Sequence, residues 1–174
     1  MKDFIREHDK LLLYLLILNL MLQWPVFYMQ ASDYREGSVL YRHPIRLNEN
    51  IQIMYHHSVE KTPVIELYQV MPDQRLLLTG QIYESYGAGL PTQTEGFYEV
   101  EEGVFKITGI NMIFESLLYR TEPETSEINF KLIIKEKEIP FHFFSKERTL
   151  VELKIKRAPI WLFWIREWQT ENLS

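Results

Sequence analysis

The chain has 174 residues, is 46% hydrophobic and 14% aromatic, and carries a net charge of −5. Those values suit one domain with a buried core and argue against disorder, and the negative balance argues against a nucleic-acid binder, which needs a basic face. With no cysteine, disulfides, thiolate catalysis and Cys-based zinc or iron–sulfur sites are excluded.

Residues 1–10 carry both signs of charge, and residues 11–29, LLLYLLILNLMLQWPVFYM, are interrupted only by Asn19, Gln23 and Pro25. About 20 apolar residues span a bilayer, and Trp24, Phe27 and Tyr28 sit near one end, where aromatic rings favour the interface. The reading is an N-terminal transmembrane helix within an anchor of residues 1–32. A cleaved signal peptide fits less well, because the run exceeds the usual core of ~7–15 residues and Met29-Gln30-Ala31 is a poor small-x-small site. A buried core helix is also disfavoured, since soluble helices rarely lack a polar face for so long. Lys2, Arg6 and Lys10 on one flank are matched by Arg35, Arg42 and Arg46 on the other, so charge alone does not orient the segment.

A β domain is expected over residues 33–157. After a tether and a short strand near Ser38 to Arg42, Ile51, Ile53, Tyr55, His57 and Val59 share one face of a period-two run. A connection at Glu60 to Pro63 leads to a second run, Val64 to Val70, and the two are expected to pair antiparallel. With Val59 opposite Val64, His57 would face Glu66, Tyr55 would face Tyr68, and Ile53 would face Val70. The turn Met71 to Gln74 introduces a long strand, Arg75 to Tyr86, which stops at Gly87-Ala88-Gly89-Leu90-Pro91. A hairpin follows around Glu101-Glu102-Gly103, and Met112 to Tyr119 reads equally as helix or strand. Beyond the acidic loop TEPETSE come strand-like runs at residues 128–135, 139–144 and 149–157. Roughly eight to ten short strands point to an antiparallel β-sandwich or barrel rather than a βαβ fold.

The tail, residues 158–174, holds Trp161, Trp164 and Trp168, three of the four tryptophans. It is too short to span a membrane, so it forms a last core element, lies at a bilayer interface or meets a partner.

Chemistry is sparse. His56 and His57 point to opposite faces of a strand and cannot chelate one ion together. His57 with Glu66, and Glu60 or Glu84 nearby, make the best candidate cluster for holding a metal or moving a proton, set against an ordinary cross-strand pair. Ser58 and Ser85 lie in no nucleophile elbow. Gly87 to Gly89 reads as a bend rather than an anion nest, and Glu122, Glu124 and Glu127 lack the spacing of a calcium loop. No catalytic residue, resident metal or cofactor is expected.

Two motifs carry a family resemblance: His57-Ser58-Val59-Glu60-Lys61-Thr62-Pro63-Val64 with Glu66, and Glu84-Ser85-Tyr86-Gly87-Ala88-Gly89-Leu90-Pro91. Together they resemble the bacterial domain-of-unknown-function family numbered 1850, with a shared core from about Ile51 to Arg157. Tyr86 stands where the family commonly has Phe. Members are small proteins encoded beside TAXI-type TRAP transporters, and no catalytic residues are established for them. The resemblance implies a transporter-associated role on the outer face of the cell membrane, with the membrane and the transporter's membrane subunits or solute receptor as partners. The expected function is a single-pass, extracytoplasmic accessory subunit without catalysis. His57, Ser58, Glu60, Lys61, Thr62, Pro63, Glu66, Glu84, Ser85, Tyr86, Gly87, Gly89 and Pro91 would form its contact or ligand edge, and the three tail tryptophans would touch the membrane or a partner. The alternative is a small-ligand or metal-binding module that senses or delivers the transported solute. A hydrolase is the weakest reading, since nothing places a nucleophile.

Overall fold

Pro25 divides the apolar run that reads as one span. In the computed structural model of the chain, α1 (Lys2–Leu22) ends in a turn where Gln23 N–H donates to Asn19 O and Trp24 N–H to Met21 O, both at 3.1 Å, and β1 (Pro25–Asp33) begins at once. Proline has no N–H to continue a helix and drives the residue before it toward extended geometry. The first half of α1 carries Lys2, Asp3, Arg6, Glu7, Asp9 and Lys10. Its apolar part, Leu11 to Leu22, is therefore about 18 Å long at ~1.5 Å per residue, against ~30 Å of bilayer hydrocarbon. Among the described residues no helix is long and apolar enough to cross a membrane. The expected transmembrane helix is thus corrected to a shorter apolar helix followed by a strand.

The structure describes residues 2–57, 61–84, 96–101, 103–123, 125–126 and 128–173, with side chains from 7 to 168 within those ranges. The chain forms two compact units, Met1–Phe27 with Arg157–Ser174, and Tyr28–Lys156. In the first, Ile160 N–H at the start of α2 (Ile160–Leu173) donates to Trp24 O at 2.9 Å. Phe163 is the buried residue among the described side chains of α2, with Trp164 edge-on to its ring at 5.7 Å.

The second unit is built from antiparallel sheets. Its further strands are β2 (Val39–Ile45), β3 (Asn50–His56), β4 (Pro63–Val70), β5 (Leu76–Tyr83), β6 (Phe97–Glu101), β7 (Val104–Phe114), β8 (Leu117–Arg120), β9 (Lys131–Ile134), β10 (Lys137–Pro140) and β11 (Leu150–Pro159). One sheet has the order β2-β1-β11-β8, the other β10-β9-β3-β4-β5-β7-β6. The mainly β expectation holds, with eleven strands among the described residues. The ambiguous segment 112–119 resolves as the end of β7 and the start of β8, so the chain changes sheets at Glu115-Ser116.

The β3–β4 hairpin forms, but in a different register. Ile53 pairs with Glu66, Tyr55 with Val64 and His56 with Pro63. His57 N–H donates to Thr62 O at 2.9 Å and Lys61 N–H to His57 O at 2.8 Å, so the loop closes two residues earlier than expected. Lys61 takes a left-handed backbone, φ 57°, and Pro63 sits at the first position of β4, where a missing N–H is tolerated. An even slip preserves the faces. Ile51, Ile53, Tyr55, Val64, Glu66 and Tyr68 remain on one side, whereas the expected facing of His57 and Glu66 is overturned.

A bulge re-phases the centre of the larger sheet. Tyr68 pairs with Leu78 but Leu67 with Gly80, leaving Thr79 extra on β5, where its Oγ1 donates to Leu67 O at 3.1 Å. On β7, Gly109 to Asn111 lie opposite the same point, and Gly109 and Asn111 have φ of 74° and 57°. Bulges turn alternating side chains onto a new phase. Leu76 and Leu78 thereby share the inner face with Gln81 and Tyr83, and Phe105 and Ile107 share it with Ile110, Met112 and Phe114. At Gly80 an added Cβ would lie 2.5 Å from the Ile107 carbonyl oxygen, so backbone must move. Gly80→Ala is expected to cost about 2–3 kcal/mol in urea unfolding, and an unchanged midpoint would show that the bulge has room to spare.

Candidate functional site

The inner face of β4 carries Val64, Glu66, Tyr68 and Val70, and all but Glu66 are buried and apolar or aromatic. A carboxylate among such neighbours needs donors. Three tyrosines provide them. Tyr68 Oη donates to Glu66 Oε2 at 2.9 Å, Tyr119 Oη donates to the same oxygen at 2.5 Å, and Tyr55 Oη makes a long contact of 3.5 Å with Oε1. The Tyr68 and Tyr119 hydroxyls lie 3.2 Å apart. Because Tyr119 is on β8 and Glu66 on β4, this cluster joins the two sheets. Phe130 fixes two of the rings, with centroids 5.1 Å from Tyr55 and 5.2 Å from Tyr119, and Phe141 stands edge-on to Tyr119 at 5.9 Å.

Burial, and then the Glu66 charge, raise the Tyr55, Tyr68 and Tyr119 hydroxyls well above the ordinary tyrosine value. They are neutral donors throughout the physiological range. In the unfolded chain a tyrosine ionises near pH 10, so only above that pH does the unfolded state hold fewer protons than the folded one. Stability is accordingly unaffected by these groups below about pH 10. Above it, stability falls by at most about 1.4 kcal/mol per pH unit for each hydroxyl. Tyrosinate absorbance should show at least three of the ten tyrosines, Tyr55, Tyr68 and Tyr119, ionising only with cooperative alkaline unfolding. Titration of all of them as one class in the folded protein would contradict the cluster.

Beside the cluster is a cleft of about 530 Å³. Its polar wall is Glu66, Tyr68, Gln81, Ser116 and Tyr119, and its apolar wall is Leu78, Ile110, Met112, Phe114, Leu117 and Leu118. The two phase changes on β5 and β7 bring Leu78, Gln81, Ile110 and Met112 to this one place, and the change of sheet at Glu115-Ser116 supplies Leu117 and Tyr119. Gln81 is the cross-strand partner of Glu66, and its Oε1 is buried with no hydrogen-bond partner among the described residues. An orphaned acceptor in a cleft is costly to the fold, and a ligand's donor relieves it.

The residues singled out from the sequence are distributed differently. Glu66 is central to the cleft. His57 is half-buried at the end of the hairpin, Lys61 is exposed, Thr62 and Pro63 are half-buried in the loop and first strand position, and Glu84 is exposed beyond β5. Ser58, Glu60, Ser85, Tyr86, Gly87, Gly89 and Pro91 lie outside the described residues. Among the described residues no group of three His, Asp or Glu side chains suitable for a metal ion occurs. Trp161, Trp164 and Trp168 are 40%, 63% and 64% exposed. The alternation of β3 and β4 already put Tyr55 and Tyr68 on the face of Glu66. Tyr119, 53 residues further along, and Gln81, on the far side of a bulge, gave no local signal.

No curated protein and no solved structure matches the chain significantly. A family profile described as Domain of unknown function (DUF1850) matches residues 51–141, which contain the whole cleft and ends at Phe141 rather than at Arg157. The chain therefore belongs to the domain-of-unknown-function family DUF1850.

Proposed function

We propose that this chain is a non-catalytic binding module, a β-sandwich attached to the outer face of the cell membrane, that holds a small solute beside a TAXI-type TRAP transporter. The cleft carries this reading. Its volume falls within the ~300–1,000 Å³ of small-molecule sites, and mostly apolar walls with a few converging polar groups are the usual construction of such sites. Among the described residues the hydroxyls that meet Glu66 are those of three tyrosines, which burial and the Glu66 charge hold protonated, so the arrangement suits holding rather than reacting. This favours the ligand-holding alternative over a hairpin contact edge.

Membrane attachment is supported by the first unit. Every apolar side chain from Leu11 to Leu22 is between 41% and 67% exposed, and Trp24 is 71% exposed. A helix apolar on all sides is not stable in water and calls for lipid or protein around it. Its length suits insertion at the interface or into one leaflet, with the α2 tryptophans at headgroup level. The transporter setting follows from the family resemblance and is part of the same proposal.

Thermal-shift screening of the detergent-purified full chain against small organic solutes tests the binding role. A rise in Tm that saturates with solute, and that disappears in Leu78→Trp, where the larger side chain fills the cleft, is the expected result. Indifference to every solute would refute it. Transporter subunits should co-purify from solubilised membranes with the tagged wild type, and their absence would remove the transporter from the proposal.

A further inference from the structure

We infer that the cleft takes an organic cation, a protonated amine or guanidinium group carried on an apolar body. This rests on the ligand-binding reading and names its chemical class. The polar wall carries a carboxylate and more acceptors than donors, the donors left to it being the Gln81 amide N–H groups and the Ser116 hydroxyl. The protons of the Tyr68 and Tyr119 hydroxyls are both committed to Glu66 Oε2, which leaves their lone pairs as acceptors. Among the described residues Glu66 Oε1 has only the 3.5 Å contact with Tyr55, and Gln81 Oε1 has no partner. These two oxygens belong to residues directly opposite each other on β4 and β5, so their side chains rise side by side from the same face.

What such a wall lacks is positive charge, and an ammonium or guanidinium supplies it together with three or five N–H groups. Among the described residues no Lys or Arg lines the cleft, so an anionic ligand would meet the Glu66 carboxylate with no positive charge from them to offset it. Tyr68, Phe114 and Tyr119 line the cleft with aromatic side chains, and aromatic rings attract a cation placed over them. Leu78, Ile110 and Leu117 receive the apolar body, and Met112 and Leu118, 52% and 47% exposed, form the lip across which it lies.

Calorimetric titration of the detergent-purified full chain with three probes sharing one apolar body tests the assignment: phenethylammonium, phenethyl alcohol and hydrocinnamate. At neutral pH the ammonium is expected to bind at least about tenfold more tightly than the alcohol, with no measurable binding of the carboxylate. Glu66→Gln, nearly isosteric, should bring the ammonium down to the level of the alcohol. Gln81→Leu should weaken the ammonium several-fold, and provides a second variant should Glu66→Gln fold poorly. Equal or tighter binding of the alcohol or the carboxylate overturns the cationic class while leaving the cleft a ligand site. Silence from all three probes, together with an unresponsive solute screen, overturns the ligand-binding reading itself.

Discussion

Replacing Glu66 by alanine is expected to lower the free energy of unfolding by about 2–4 kcal/mol. The carboxylate is the shared acceptor for Tyr68 and Tyr119, and Tyr68 is only 4% exposed. Removing it leaves the Tyr68 and Tyr119 hydroxyls, 3.2 Å apart, only each other as protein acceptors among the described residues, so at least one loses its partner, and each such loss costs roughly 1–3 kcal/mol. Tyr55, at 3.5 Å, contributes little. Against this stands the relief of no longer burying part of a charge, which keeps the net below the sum of the separate losses. Glu66→Gln retains one carbonyl acceptor and should lose about half as much. Tyr119→Phe, which deletes one donor and leaves the carboxylate its bond from Tyr68, should cost about 1 kcal/mol. Urea unfolding with unchanged m-values gives the ranking directly. A Glu66→Ala protein as stable as wild type would mean that the cluster contributes to binding alone and not to joining the sheets.

Introducing glutamate at both Leu13 and Leu15 should reduce binding to lipid vesicles at least about tenfold. At ~100° per residue these positions lie about 200° apart around α1, so one of them enters lipid whichever face is buried. Withdrawing a single leucine forfeits about 2 kcal/mol of burial, more than the 1.4 kcal/mol that corresponds to tenfold. Vesicle flotation compares the wild type and variant chains. Co-flotation of wild type with loss in the variant is expected, and Trp164→Ala with Trp168→Ala should weaken binding further. Equal flotation of both would move the attachment away from α1. A wild-type chain that remains with the soluble fraction would leave its apolar side chains to be covered by protein.

The alternation of apolar residues by itself determined that the chain is mainly β, where the strands of the central region lie, and which side chains share a face. Those are local properties: a strand's period of two places Tyr55, Glu66 and Tyr68 inward whatever their partners. The turn at Met71 to Gln74 was equally legible. It closes with Met71 N–H on Arg75 O at 2.9 Å and Gln74 at φ 69°. Pro25 was legible too, but hydropathy outweighed it in the reading of residues 11–29, because a sliding apolar run does not register where the helix stops.

Only the tertiary structure decided the rest. The same period of two fits two registers in which the partner of Glu66 differs by four residues, His57 or Ile53, so the faces of the first hairpin were right while its pairs were wrong. Closure of the loop at His57 and Thr62 chose between them. The bulge at Thr79 puts Leu78 and Gln81 on one face although their spacing is odd, which no alternating pattern predicts. Tyr119 reaches Glu66 because the chain leaves one sheet at Glu115-Ser116 and enters the other. Side-chain direction is set by each residue's own backbone, whereas meeting across sheets is set by how distant strands align and pack. The components of the cleft were therefore present in the sequence, and their convergence was a property of the fold.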